Sequence, residues 1–190
     1  SIFWQLSIGN IETSKMTDQV ISYLSNWDPD FIIVHSGMAD CRPESFSEFQ
    51  KLIIYNIFSL IPSKIKKYLK LPSPQSLIYS SKLIKKRHVE RVSKKDFKKN
   101  IKKFLLIFVK TKVVWLEISA DPKYEKIRPG VMQRIKDYNE ILIKELPEDR
   151  FVYIYKSLLK QNGYNNDGIH LNKLGHQTIA NILIKKMKLN

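Results

Sequence analysis

Trp27-Asp28-Pro29-Asp30-Phe31-Ile32-Ile33-Val34-His35-Ser36-Gly37 is the stretch on which the fold turns. Pro29 cannot continue a helix and restricts the residue before it, so the preceding helix has to end here. Phe31 to Val34 is then a short β-branched run closed by Gly37, the pattern of a buried parallel strand. Upstream, residues 13–25 space Met16, Val20, Ile21 and Leu24 on one helical face. Downstream, residues 45–60 carry Phe46, Phe49, Ile53, Ile57 and Leu60 at helical spacing, which predicts a buried stripe.

The same alternation continues along the chain. Pro62, Pro72 and Pro74 punctuate a stretch that reads as loop. Ser93 with Asp96 resembles a capping box, opening a helix with Phe97, Ile101, Phe104 and Leu105 inward and lysines outward. Residues 113–118 and 151–155 read as strands, and 131–146 as a helix ended by Pro147. Residues 172–188 make a last helix with Ile179, Ile182 and Leu183 apolar, and residues 2–7 an opening strand. Strands alternating with helices of this length imply one α/β domain: a parallel sheet covered on both faces, a three-layer α/β/α sandwich.

Composition narrows the class. The 190 residues are 43% hydrophobic and 11% aromatic, enough for a single domain with a sizeable core. The single cysteine, Cys41, excludes an internal disulfide. No run approaches the roughly eighteen apolar residues of a membrane span, and no signal peptide opens the chain, so the expectation is a cytoplasmic protein. Because the first residues read as the middle of a sheet, an upstream segment is also expected. The net charge of +15 is concentrated between residues 64 and 103, where fifteen Lys/Arg face only Glu90 and Asp96. These lysines read as a solvated face, or as an attraction to an anionic membrane or polysaccharide, with Ile65, Tyr68 and Leu69 making that segment mildly amphipathic. Nucleic acid is disfavoured, since arginines are few there and no recognised motif is present.

The sharpest chemical signal is Asp167-Gly168-Ile169-His170-Leu171-Asn172, followed by Gly175-His176. It falls after the last strand, where open α/β sheets bind their ligands. An Asp three residues before a His, in a turn, sets the carboxylate against one imidazole nitrogen and leaves the other free as a general base. The alternative is a helix-capping loop with His170 incidental. His35 reads as a strand-end packing residue that could line a pocket, and Arg42 as a surface ion pair or an anchor for an anionic substrate group. Cys41 reads as a buried small residue, and His176 as ordering the last helix. No zinc spacing and no phosphate loop appears.

D-G-I-H-L-N-x-x-G-H resembles the C-terminal block of the SGNH (GDSL) hydrolases, a flavodoxin-like family of esterases, deacetylases and acyl-transfer enzymes. Gly9-Asn10 after a strand is similar to the family's second block. Pro29 through Asp40 resembles its third, and Arg128-Pro129-Gly130 through Tyr138-Asn139 the segment before its final strand. The resemblance implies an ester hydrolase, acyl or acetyl esterase or acyl-transfer enzyme working through a serine-bound acyl intermediate without metal or organic cofactor. It casts His170 as the base and Asp167 as its orienting acid, with Gly9 and the position of Ala39 in the oxyanion hole. Asn10, Gly37, Asp40, Arg42 and His35 then fall around the pocket, Asp40 chiefly as a loop-holding side chain. The implied substrate is a small acyl ester, with O-acetylated carbohydrate as the class suggested by analogy. Two departures stand out: Ala39 replaces the family's oxyanion asparagine, and no G-D-S block precedes Gly9, so the nucleophile is expected upstream of Ser1. Residues 62–103 read as a basic insert. The competing expectation is an inactive binding module that uses this insert to dock on an anionic glycan or membrane.

Overall fold

The computed structural model describes residues 11–24 and 29–187, so the expected strand at 2–7 and Gly9-Asn10 lie outside the described residues. Helix α1 (Thr13–Leu24) leads to strand β1 (Phe31–Val34) and the single-turn helix α2 (Met38–Cys41). A short antiparallel pair, β2 (Pro43–Glu44) and β3 (Val89–Glu90), brackets four helices. These are α3 (Glu48–Leu60), α4 (Ser63–Tyr68), α5 (Pro74–Ile78) and α6 (Ser81–Arg87). Helix α7 (Lys94–Ile107) and strand β4 (Lys112–Leu116) follow, then α8 (Tyr124–Ile127) and α9 (Val131–Glu145). Strand β5 (Phe151–Val152), helix α10 (Tyr155–Lys160) and helix α11 (Lys173–Met187) complete the order.

The main sheet of described residues is parallel, in the order β1-β4-β5, as the alternation predicts. β4 is its centre: Val113, Val114, Trp115 and Leu116 are all buried. Two apolar layers flank it. One contains Val113 and Trp115 with Phe97, Ile101 and Phe104 of α7 and Val131, Ile135, Tyr138 and Leu142 of α9. The other contains Val114 and Leu116 with Leu158 of α10 and Ile179 of α11. Successive side chains of a strand point to opposite faces, and this is what lets one five-residue strand hold both layers.

Several expectations are corrected. β1 pairs in parallel but is not buried on both faces: Val34 is buried, whereas Phe31 and Ile33 retain exposed surface. The helix at 45–60 begins at Glu48, because Ser47 and Gln50 form a reciprocal capping box. Its expected buried stripe is exposed, and no residue of α3 is buried. The proline-marked stretch is loop only in part: Pro72 lies in the irregular residues 69–73, but the stretch also forms α4, α5 and α6. Pro74 sits in the first turn of α5, where its missing N–H costs nothing, and Ser73 caps it. The strand at 151–155 stops after Val152, since the Glu117 carboxylate accepts from the Ile154 and Tyr155 amides at 2.8 Å each and starts α10. The helix from Ser93 forms as expected, with Ser93 Oγ accepting from the Asp96 amide at 3.1 Å.

Candidate functional site

The loop between α10 and α11 is built almost wholly from short-range polar contacts. Tyr164 and Leu171 form an isolated bridge, and the Asn165 amide donates to His170 O at 2.8 Å. Gly168 closes the turn with φ +82°, in the left-handed region where a side chain is strained. The Asp121 amide donates to Gly168 O at 2.8 Å, which fastens the loop to the segment leaving the carboxyl end of β4. Asn172 stitches the other side: its Nδ2 donates to Asn162 O and Tyr164 O, while its Oδ1 accepts from the Gly175 amide and caps α11. Gly175 is required by close approach, because a Cβ there would lie 2.1 Å from Gly163 O.

Inside this frame Asp167 does three things. Its Oδ1 accepts from the amides of Ile169 and His170 at 3.0 Å each, and its Oδ2 meets His170 Nδ1 at 2.5 Å. Partial burial alone would raise the carboxyl pKa. The bond to His170 and the two amide bonds outweigh it and hold the pKa at about 2. Asp167 is therefore ionised at neutral pH and fixes Nδ1 of His170 as its donor nitrogen. The His170 side chain is 73% exposed, and no partner occupies Nε2 among the described residues. A carboxylate–imidazole pair with one nitrogen tethered and the other open is the arrangement a general base requires.

The other sequence candidates fall into a separate group behind β1. Asp40 is fully buried and spent on the start of α1, accepting from Thr13 N at 3.0 Å and from Thr13 Oγ1 at 2.6 Å. Asn100 of α7 completes this knot by donating to Thr13 Oγ1 at 3.1 Å. Burial pushes the Asp40 carboxyl up to about 6, and the Thr13 bonds only partly offset it. Ala39 is buried within α2, and its methyl carries no donor. Gly37 has φ +118° and sits so close to Ile118 that a Cβ would meet its Cδ1 at 2.5 Å. Arg42 is committed to Glu44 at 2.9 Å, and Lys51 reaches the same buried carboxylate at 3.0 Å.

His35 keeps exposed surface, yet desolvation from the protein atoms crowding its ring lowers its pKa, with repulsion from His176 second. No hydrogen bond or ion pair joins Asp167 or His170 to residues 35–42 among the described residues, while Gly9 and Asn10 lie outside them. Cys41 is buried, with its thiol pushed up to about 12 by desolvation, as a packing residue should be.

Sequence reasoning missed Thr13, Asn100 and Asn139 as scaffold. Asn139 of α9 accepts from Ile118 N at 2.9 Å and donates to Ile118 O at 2.8 Å, holding the exit of β4. It also missed Ser119 and Tyr164, buried on the β4 side of the loop. Burial drives the Tyr164 phenol up to about 12 with the Ser119 hydroxyl pulling the other way, but neither oxygen closes a hydrogen bond of ordinary geometry among the described residues. A separate cleft lies away from this loop. One of about 410 Å³ is lined by Tyr55, Phe58, Lys66 and residues 71–74, far along the chain from the Asp167 loop.

No family model and no curated protein matches this chain. Among solved structures that share its fold are two hydrolases. A lipase/acylhydrolase from Enterococcus faecalis superposes with a TM-score of 0.55 at 13% identity, covering 94% of this chain and 71% of that one. An alpha/beta hydrolase enzyme, LAE5, from the metagenome of Lake Arreo, Spain, superposes at 0.57 with 15% identity, covering 95% and 70%. The chain has the three-layer α/β/α architecture on which those two hydrolases are built.

Proposed function

We propose that this chain carries the base half of a serine ester hydrolase of the SGNH (GDSL) type. The observation that supports it most is the 2.5 Å Asp167–His170 contact on a loop tied to the carboxyl end of the parallel sheet. In this reading His170 Nε2 takes the proton of a serine hydroxyl as it attacks an acyl ester, then returns it to the leaving alcohol. Asp167 holds the ring and stabilises the imidazolium. The Gly9 amide contributes to the oxyanion hole, and Ala39 marks a missing side-chain donor, a loss on the order of 10²–10³ in turnover unless another group substitutes. The substrate class is a small acyl ester, with an O-acetylated glycan as the version suggested by analogy. The nucleophile belongs to a G-D-S block, which the 190 residues do not contain.

A fluorophosphonate probe tests this on the natural gene product. One serine should be labelled, and His170→Ala should lower the labelling rate by about 10²–10⁴. The 190-residue chain itself should turn over p-nitrophenyl acetate hardly at all. Labelling that survives His170→Ala, or a gene with no such serine, refutes the reading and leaves a binding module.

A further inference from the structure

We propose that Arg128 anchors an oxyanion site, which takes the carboxylate or phosphate group of a small-molecule substrate beside the Asp167 loop. The residue is 7% exposed, and its Nη1 is sealed from solvent with no hydrogen-bond partner. Nε and Nη2 find no acceptor among the described residues but are not sealed in the same way, which leaves the edge of the fork open to a ligand. The interaction that the guanidinium does make is with the Tyr79 ring, at 5.0 Å. By contrast Arg42, Arg91 and Arg134 each meet a carboxylate, at 2.9, 2.6 and 2.8 Å. A buried charge is costly unless something supplies its counter-charge. The planar fork of arginine matches the oxygens of a carboxylate or phosphate, and stacking on an aromatic face leaves that fork free.

The local sequence builds this position rigidly. Pro129 and Gly130 are the central residues of a turn closed by the Val131 amide on Arg128 O at 3.0 Å. Gly130 has φ +88° and ψ −2°, as the third residue of a type II turn requires. Glu125, the carboxylate that α8 itself offers, is spent on the amides of Gly130 and Met132. The His88 imidazole packs on the same turn, where a Cβ at Gly130 would come 3.1 Å from its Nδ1, and its ring makes no hydrogen bond among the described residues. Arg128 also closes α8, its amide donating to Tyr124 O at 2.9 Å. Tyr124 in turn lies against the Asp167 loop, since a Cβ at Gly168 would be 3.2 Å from Tyr124 Cβ. Four helical residues rise about 6 Å, so the backbone of Arg128 stands one turn from the loop that carries His170. That the anion belongs to an ester substrate rests on reading His170 as the base; the anion site itself does not.

Melting temperature under titration with sodium phosphate or sodium acetate, against sodium chloride at matched ionic strength, tests the site without any catalysis. At least one of the two oxyanions should raise it saturably, by about 3 °C at about ten times its Kd, and the tighter of them names the substrate group. Arg128→Met should remove the saturable part while general salt effects remain. Without added oxyanion this variant should melt within about 2 °C of the wild type, because the guanidinium has no counter-charge to lose. A larger loss hands the decision to the wild-type chain, where either anion should move the Arg128 Nε–H resonance and leave those of the ion-paired Arg42 and Arg134 in place. Equal saturable shifts in the wild type and Arg128→Met, or an Arg128 resonance that neither anion moves, overturn the proposal. If fluorophosphonate labelling fails while the anion shift stands, the anion site survives and only its link to ester chemistry is lost.

Discussion

α7 and α3 are helices of similar length, each with an apolar stripe and a capped start, yet one is the core of the molecule and the other lies on its surface. Phe97, Ile101 and Phe104 of α7 are buried against α9 and β4, with the Phe97 ring tilted against Tyr138 at 4.8 Å and Phe104 edge-on to Trp115 at 5.7 Å. The stripe of α3 meets nothing comparable. Its region is held down instead by scattered anchors: Lys51 on Glu44, Ser45 Oγ donating to Ile78 O, and Arg128 over the Tyr79 ring at 5.0 Å. Periodicity reports that a helix has an apolar face, and it is silent on what covers that face.

Two phenylalanines put this contrast to the test most sharply. Phe97→Ala removes a side chain with no solvent contact from the densest layer and should cost about 3–5 kcal/mol. Phe49→Ala, the same chemical change on α3, should shift stability by less than about 0.5 kcal/mol. Urea unfolding of both variants reads the difference. Comparable losses would mean that the α3 stripe is covered in the folded protein, and the contrast would collapse.

The next effect belongs to the loop that carries the candidate base. Gly175→Ala forces a methyl into Gly163 O, backbone against backbone, where no side chain can swing aside. A cost of about 2–4 kcal/mol is expected, seen as a lowered melting temperature. Indifference to this change would show that α11 docks less tightly than the Gly163–Gly175 contact implies.

These two cases also show what could be read in advance. Phe31 to Val34, the strand at Val113, the Ser93 cap and the Asp167–His170 turn were legible because each is a local pattern: β-branched run, capping pair, or Asp and His three apart. The exposure of α3 was not, because it depends on which elements pack over residues far away in sequence. Of the three prolines that read as loop punctuation, Pro72 does lie between helices, whereas Pro62 immediately precedes α4 and Pro74 occupies the first turn of α5, where proline is compatible with a helix. The role of Asp40 was half legible. Its hydrogen bonding was expected, but its partner Thr13 lies 27 residues away and no local spacing points to it.

Asp40 sets the pH dependence of the core side of the comparison. Folded Asp40 keeps its proton up to about pH 6, whereas the unfolded chain releases it near the ordinary carboxyl value. The folded state therefore binds the extra proton in that window, and stability falls as pH rises from about 4 to about 6, by on the order of 2–3 kcal/mol. Asp40→Asn should flatten this limb of a plot of melting temperature against pH. A limb that persists unchanged in the variant would assign it to another group.

Asp167 works in the opposite direction and more weakly. Its depressed pKa contributes stability that is present above the unfolded carboxyl value and is lost as pH falls toward about 2. It is also half exposed, so solvent screens much of that contribution. Asp167→Ala strips acceptors from two backbone amides and should cost about 1 kcal/mol. His170→Ala, at a ring open to water, should change stability by less than about 0.5 kcal/mol. The loop therefore spends its hydrogen bonds on holding Asp167, and Asp167 holds a histidine on which the fold does not depend. If thermal melts show His170→Ala to be as damaging as Asp167→Ala, the imidazole is part of the scaffold, and the capping-loop reading gains over the general base.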